Sequence, residues 1–317
     1  MKNLSYDAWL PFAWHGVQIN IPAEWNPGKI TGEANNGGVR LDDSHIVRLE
    51  LEWKEARGDD RVTQIVDRYI EGLAKNAEKQ KSKLRVQRSA TINGLDLPNM
   101  KHVEFFTWES NFIVYTLACY SPLSDRLLFV RIMGRPDENL DQILPLIFNS
   151  LSDTDPTAAH QWVLYDMECA SPVGYQLESF ELKSGHVRLN FEMDGNMLSI
   201  DRLGLAKTIL SNRQLDAWYA DFFRKDSRHI RMDNTLEALP DDNQRLHLVG
   251  HPTSRWRGLL QPLPFWNMRP RRHLTGRVWT DLEANKIFAV QSFWKKEEDQ
   301  PDLETVIQSV GAVFPTT

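Results

Sequence analysis

"ILPLIFNSLSD" (residues 143–153) reads like the closing helix of a domain, yet it sits near the middle of a 317-residue chain. Leu144, Ile147, Phe148 and Leu151 fall at i, i+3, i+4 and i+7, one apolar stripe of a short amphipathic helix. The polar run "SDTDPTAAHQ" after it looks like a tether. A second ending lies at the C-terminus. Residues 127–151, "LLFVRIMGRPDENLDQILPLIFNSL", align without a gap with residues 286–310, "KIFAVQSFWKKEEDQPDLETVIQSV". Phe129 then meets Phe288, Glu138 meets Glu297 and Ser150 meets Ser309. The stripe returns as Leu303, Val306, Ile307 and Val310. A chain that closes twice in the same way is read as a tandem repeat.

The beginnings agree. "VQINIPAEW" (17–25) alternates Val17, Ile19 and Ile21 before turning at Pro22, and "WVLYDMECASPVGY" (162–175) turns at Pro172. "GGVRL" (37–41) parallels "SGHVRL" (184–189). "IVRLELEW" (46–53) puts Val47, Leu49, Leu51 and Trp53 on one strand face, and "NMLSIDR" (196–202) is its shorter counterpart. A helix is expected after each, over "DRVTQIVDRYIEGLAKNAEKQK" in the first copy and "LAKTILSNRQLDAWYADFFRK" in the second. Residues 1–153 and 160–317 are thus predicted as two domains. Each is expected to be an α+β, α/β/α sandwich, an antiparallel sheet whose apolar face is covered by helices.

"INIPAEW", "VRLELEW" and the terminal "FVRI … ILPLIFNSL" together resemble the PsbP-like family. That family includes a photosystem extrinsic protein, a Ran-binding nuclear import factor and bacterial proteins of unknown role. The pattern covers most of residues 14–153 and, more loosely, 162–313. The resemblance implies an α/β/α sandwich used mainly for binding proteins, with no family catalytic residue to carry over.

Composition bounds the rest. A net charge of −6 argues mildly against a whole-protein attraction to nucleic acid or anionic membrane. Cys119 and Cys169 each lie in an apolar run and are read as reduced, buried thiols. The N-terminus lacks the apolar core of a signal peptide, and no window reaches the length of a membrane span. The cytoplasm is the expected compartment.

The second copy is interrupted by "PTSRWRGLLQPLPFWNMRPRRH" (252–273). From Asn243 to Thr280 there is no Asp, Glu or Lys, but there are seven arginines, at 245, 255, 257, 269, 271, 272 and 277. Arginine presents a rigid fork of donors, and tryptophan a large flat face; both are enriched at interface hot spots. Arg255, Trp256, Arg257, Trp266, Arg269, Arg271 and Arg272 are therefore the candidate partner-binding residues. The expected partner is a protein with an acidic surface, ranked ahead of nucleic acid or anionic lipid. The bland alternative folds the same arginines back on carboxylates of the chain itself.

Reactive chemistry has little to stand on. Asp42, Asp43 and His45 could form a proton relay, but a turn opening on Asp-Asp uses the same letters for local hydrogen bonds. His247 and His251 lie four apart, too far along a strand for one metal. No phosphate loop, G-x-S-x-G elbow, H-E-x-x-H or C-x-x-C occurs. Hence no catalytic residue, metal or cofactor is predicted. The expected function is a non-enzymatic binding protein; a small-ligand carrier or enzyme with a site between the halves, or a nucleic-acid binder, is the alternative.

Overall fold

The computed structural model describes residues 2–58, 61–88, 90–253, 272–296 and 299–316. It divides into two compact units, Met1–Asp166 with Val313–Thr317, and Met167–Ala312.

The first unit begins with β1 (Lys2–Asn3) and the hairpin β2 (Trp9–Trp14) and β3 (Val17–Pro22). Next come β4 (Asn26–Glu33), β5 (Asn36–Asp42), β6 (Val47–Glu55) and helix α1 (Val62–Gln80). Then follow β7 (Arg85–Gln87), β8 (Lys101–Glu109), β9 (Ile113–Ser121), β10 (Arg126–Gly134) and β11 (Glu138–Asn139). Helix α2 (Leu144–Asn149), β12 (Ser152–Asp153) and β13 (His160–Leu164) complete it. Its main sheet runs β4-β5-β6-β10-β9-β8-β7, and β12-β3-β2-β13 form a smaller one.

Alternation sets the two faces of the main sheet. Helix α1 repeats apolar residues at Val62, Ile65, Val66, Tyr69, Ile70 and Leu73, and ends where Lys81 turns left-handed (φ 52°). It buries Val62 and Val66 against Phe106, Ala118 and Leu127, with Tyr69 against Phe129. The opposite face carries Leu49, Leu51, Trp53, Leu128, Val130 and Ile132, all buried. Here the cover is mixed: Phe148 of α2 meets Phe105 edge-on, and Arg126 donates to the His15 carbonyl at the β2–β3 turn (2.8 Å).

The second unit holds β14 (Met167–Ser171), β15 (Gln176–Lys183), β16 (His186–Met193) and β17 (Asn196–Gly204). Helices α3 (Ala206–Ile209) and α4 (Leu215–Phe222) precede β18 (Ile230–Met232), β19 (Thr235–Ala238) and β20 (Gln244–Pro252). It closes with β21 (His273–Asp281), β22 (Lys286–Trp294), α5 (Glu304–Ser309) and β23 (Gly311–Ala312). Its sheet runs β15-β16-β17-β22-β21-β20-β18, with β19 also on β20. Leu215, Trp218, Tyr219 and Phe223 pack on Leu203, Leu246, Leu248, Leu274, Val278, Ile287 and Ala289.

The expected helix-covered α/β/α sandwiches are overturned. Strand makes up 49% of the described residues and helix 15%, so the fold is β-rich with several antiparallel sheets. Geometry explains why. The stripe at "ILPLIFNSL" yields only six helical residues. At 1.5 Å per residue these span about 9 Å, whereas seven strands about 4.8 Å apart make a sheet roughly 29 Å wide. In the second unit the predicted single helix is broken between Ile209 and Leu215, leaving pieces of four and eight residues.

The gapless alignment also loses its phase. Phe129 faces α1, but in β22 it is Ile287 and Ala289 that join the core under α4, so Phe288 points the other way. Phe288 instead stacks with Trp279 (5.6 Å). Because strand side chains alternate, a one-residue slip exchanges the two faces.

Candidate functional site

The α1 face of the first sheet is covered only in part. The helix lies over β8, β9 and β10, and beyond it the sheet runs on through β6, β5 and β4 with no helix above among the described residues. A groove of about 680 Å³ lies along this boundary. Its floor follows from the register: Arg131 pairs with Glu50, Arg40 with Glu50 across the other edge of β6, Gly38 with Glu52, Thr31 with Gly38, and Lys29 with Arg40. All therefore share one face. Ile65 and Tyr69 of α1, with Leu127 and Phe129, form an apolar wall.

Charge is unevenly satisfied there. Arg131 is 8% exposed; its guanidinium donates to Glu52 and lies 5.8 Å above the centre of the Tyr69 ring. Its Nε sits 3.0 Å from Glu50 Oε2, yet out of line for a hydrogen bond. Arg40 pairs with Asp42 just outside the groove (3.0 Å). Lys29 and Lys54 line the groove, are exposed, and have no carboxylate partner among the described residues. Burial raises the pKa of the Tyr69 hydroxyl, with the neighbouring Arg131 opposing. Gly37 is forced by packing, since a Cβ there would lie 2.4 Å from the Trp53 ring.

A second polar cluster is closed rather than open. At the β2–β3 turn, His15 (φ 49°) and Gly16 (φ 86°) turn the imidazole inward. It is 6% exposed among Trp14 (5.7 Å), Trp53 (6.0 Å) and Trp162 (5.1 Å). Burial foremost, then Arg126 and His160, lower its pKa to about 4. Arg126 and Asp153, with side chains 2% and 0% exposed, are paired at 3.3 Å, and Ser124 donates to the other Asp153 oxygen. Burial also pushes Arg126 down, against the pull of Asp153. The expected tether thus carries a buried anion: Ser152 and Asp153 pair with Gln18 and Val17 of β3.

In the second unit Asp201, fully buried, takes three donors: His186 Nε2 (2.6 Å), Arg188 Nε (2.6 Å) and Ser199 Oγ (3.1 Å). Arg188 also reaches Asp226 (3.2 Å) and lies over Phe223. Phe222 covers the imidazole at 5.5 Å. This is a knot of internal bonds beneath aromatic rings.

The residues singled out from sequence fare differently. Arg255, Trp256, Arg257, Trp266, Arg269 and Arg271 lie outside the described residues. Arg272 is described, and it folds back: Nη2 donates to the Gly195 carbonyl (3.3 Å) and Nη1 approaches the Met197 sulfur. Two further arginines of the basic run are also committed internally, Arg245 to Glu237 (3.3 Å) and Arg277 to Glu304 (2.9 Å).

Asp43 does not join a relay. It accepts from the backbone N–H groups of His45 (2.6 Å) and Ile46 (2.7 Å) and from Arg48 Nε (2.6 Å). Burial alone would raise its pKa, but these donors hold it below the ordinary range. Arg48 in turn grips both oxygens of Glu138, at 2.7 and 3.0 Å. His247 faces Glu237 (3.3 Å), whereas His251 lies edge-on to His273 (5.8 Å). Among the described residues no group of three His, Cys, Asp or Glu is placed to hold a metal ion. Cys119 and Cys169 are unbridged and buried, and burial pushes the Cys119 thiol up to about 12.

Arg131, Glu52 and Lys54 were missed as site residues, though one mark was available. Arg131 is the single charge in the apolar run "LLFVRIM" (127–133), on the same strand face as Leu127 and Phe129. No helix among the described residues is long and apolar enough to cross a membrane. No family model matches the chain, and no curated protein does.

Proposed function

We propose that this is a non-enzymatic binding protein whose first unit receives an acidic, extended polypeptide segment in the groove beside α1. One observation carries the reading: two exposed lysines, Lys29 and Lys54, flank a floor whose own charges are already paired, next to an apolar wall. A segment alternating carboxylates and apolar side chains answers both features, because its faces alternate as the groove does. In a chain of net charge −6, a local basic rim steers such a segment to one place.

The arginine- and tryptophan-rich stretch 252–273 belongs to the same proposal as a second docking element, supported by its charge segregation alone. Descent of the two units from one domain also belongs here; it is supported by the matching order of the two large sheets, each built from three N-terminal strands and the returning strands. Kinship with the PsbP-like family is proposed without the helix-covered sandwich. The two unbridged thiols favour a reducing compartment, and the cytoplasm is proposed as the site of action.

The test uses a fluorescein-labelled decapeptide of alternating Glu and Leu, with a Lys–Leu peptide as control, read by anisotropy against the full chain. The Glu–Leu peptide should bind and the control should not. Lys29→Glu with Lys54→Glu should weaken binding by about tenfold, some 1.4 kcal/mol for two reversed exposed charges. Equal binding of both peptides, or an unaffected double variant, would refute the reading.

A further inference from the structure

Arg131 is an unusual choice for the floor of this groove. It stands in β10 between apolar neighbours on the same face, is 8% exposed, and is backed by the Tyr69 ring. A guanidinium carries five N–H donors in a fixed fork suited to a carboxylate. Here that fork is engaged by one carboxylate and by the Tyr69 hydroxyl, with a second carboxylate close by. Glu52 takes Nη2, while Nε is buried, has no aligned acceptor, and only lies near Glu50. Glu52 itself is a surface residue, its side chain 57% exposed, bent inward to reach the arginine. A buried permanent cation is thus held by a mobile type of side chain that water also solvates well.

The second unit shows what a closed version looks like. There Tyr219, on α4, donates to Gln291 of β22 at 2.8 Å, so the strand partner of the helix tyrosine is neutral. Arg188 of β16 lies over the Phe223 ring and is tied down by Asp201 and Asp226. Among the described residues, the first unit presents a charged fork at the floor of an open groove.

We propose that Arg131 is the receptor for a carboxylate of the bound segment, and that Glu52 occupies it in the free protein and is exchanged on binding. The inference rests on the groove reading above and deepens it. The ligand carboxylate replaces an internal one, so the buried cation is never left unpaired, and the desolvation cost of Arg131 is already met before binding. Glu50, 3.0 Å from Nε, keeps a negative charge beside the guanidinium throughout. Lys29 and Lys54 attract the segment, whereas Arg131 sets where its carboxylate must fall.

The experiment measures affinity for the Glu–Leu decapeptide with wild type, Glu52→Gln, Glu33→Gln and Lys29→Glu/Lys54→Glu. Glu33 is an exposed carboxylate at the end of β4 and controls for the loss of one negative charge near the rim. Glu52→Gln should bind about three- to fivefold more tightly, while Glu33→Gln should change affinity little. In an Arg131→Lys background the gain from Glu52→Gln should vanish, since a point charge lacks the fork. The Arg131 Nε–H resonance should also shift when peptide is added. Unchanged or weaker binding by Glu52→Gln, or an equal gain in Glu33→Gln, would overturn this inference while the lysine variant still tests the groove. If wild type does not bind the peptide, the groove reading fails and this inference with it. Should Arg131→Lys not fold, the Glu52 and Glu33 comparison decides alone, as both are surface changes.

Discussion

His15 should make the stability of the first unit fall as the solution is acidified through a defined window. Its folded-state pKa is about 4, against about 6.5 for an unperturbed imidazole, so the folded state resists protonation. A shift of about 2.5 units at 1.36 kcal/mol each corresponds to roughly 3 kcal/mol. The sign follows from proton counting. Between pH 6.5 and 4 the unfolded chain binds the proton and the folded chain does not, so stability is intact above about 6.5 and declines as pH falls. Below about 4 both states are protonated and the loss stops growing. The charged groups acting on the ring are Arg126 of β10, itself paired with Asp153 of β12, and His160 of β13; Arg126 and His160 both disfavour a second cation. Burial is the larger cause, since the ring is enclosed by three tryptophans. The perturbation is His15→Asn, because asparagine tolerates the positive φ of 49° and does not titrate. Urea unfolding at constant ionic strength, at several values from pH 7.5 to 4, gives the two stability curves. Wild type should lose about 3 kcal/mol relative to the variant across the window, out of a total of about 5–15 kcal/mol for an ordinary domain. Titrating groups that do not act on His15 are common to both proteins and cancel. A difference between wild type and variant that stays flat from pH 7 to 4 would refute the argument, because His15 would then titrate alike folded and unfolded.

Two further outcomes are expected. Asp153→Ala strands the Arg126 guanidinium in the interior and should cost about 3–5 kcal/mol, whereas replacing both by apolar residues should cost far less, as thermal unfolding will show. Changing Arg255, Arg257, Arg269 and Arg271 to Gln, while keeping Arg272 for its bond to Gly195, should leave the melting temperature unchanged and lower retention on a polyglutamate matrix. Retention instead on single-stranded DNA, steeply lost with salt, would move the stretch to the nucleic-acid reading.

Local pattern was legible where one side of an element is wet and the other dry. Val17, Ile19 and Ile21 alternate because β3 has one buried face, and Leu49, Leu51 and Trp53 do so in β6 for the same reason. The six apolar positions of α1 were equally plain. A short stripe does not make a layer. "ILPLIFNSL" and "LDAWYADFF" carry helical periodicity, but periodicity does not report whether six or eight residues suffice to cover a sheet. The candidate chemistry is half legible: Asp-Asp before a strand marks the local use of Asp43 in its turn, whereas nothing local marks its long-range tie through Arg48 to Glu138.

What the sequence determined by itself are properties set within one strand or one helix turn. These include the alternating strands, the helix after β6, the basic run near residues 252–273, and the apolar setting of both cysteines. What only the tertiary structure decided are pairings across long separations. Asp153 reads as part of a polar tether until Arg126 meets it in the interior. His15 is an ordinary turn residue until Trp162 closes over it from the far end of the unit. Arg131, Glu52, Lys29 and Tyr69 come to line one groove only through strand register and helix placement. A one-residue slip would send each strand's charges to the other face, and no local propensity forbids that slip. Burial of the whole face does.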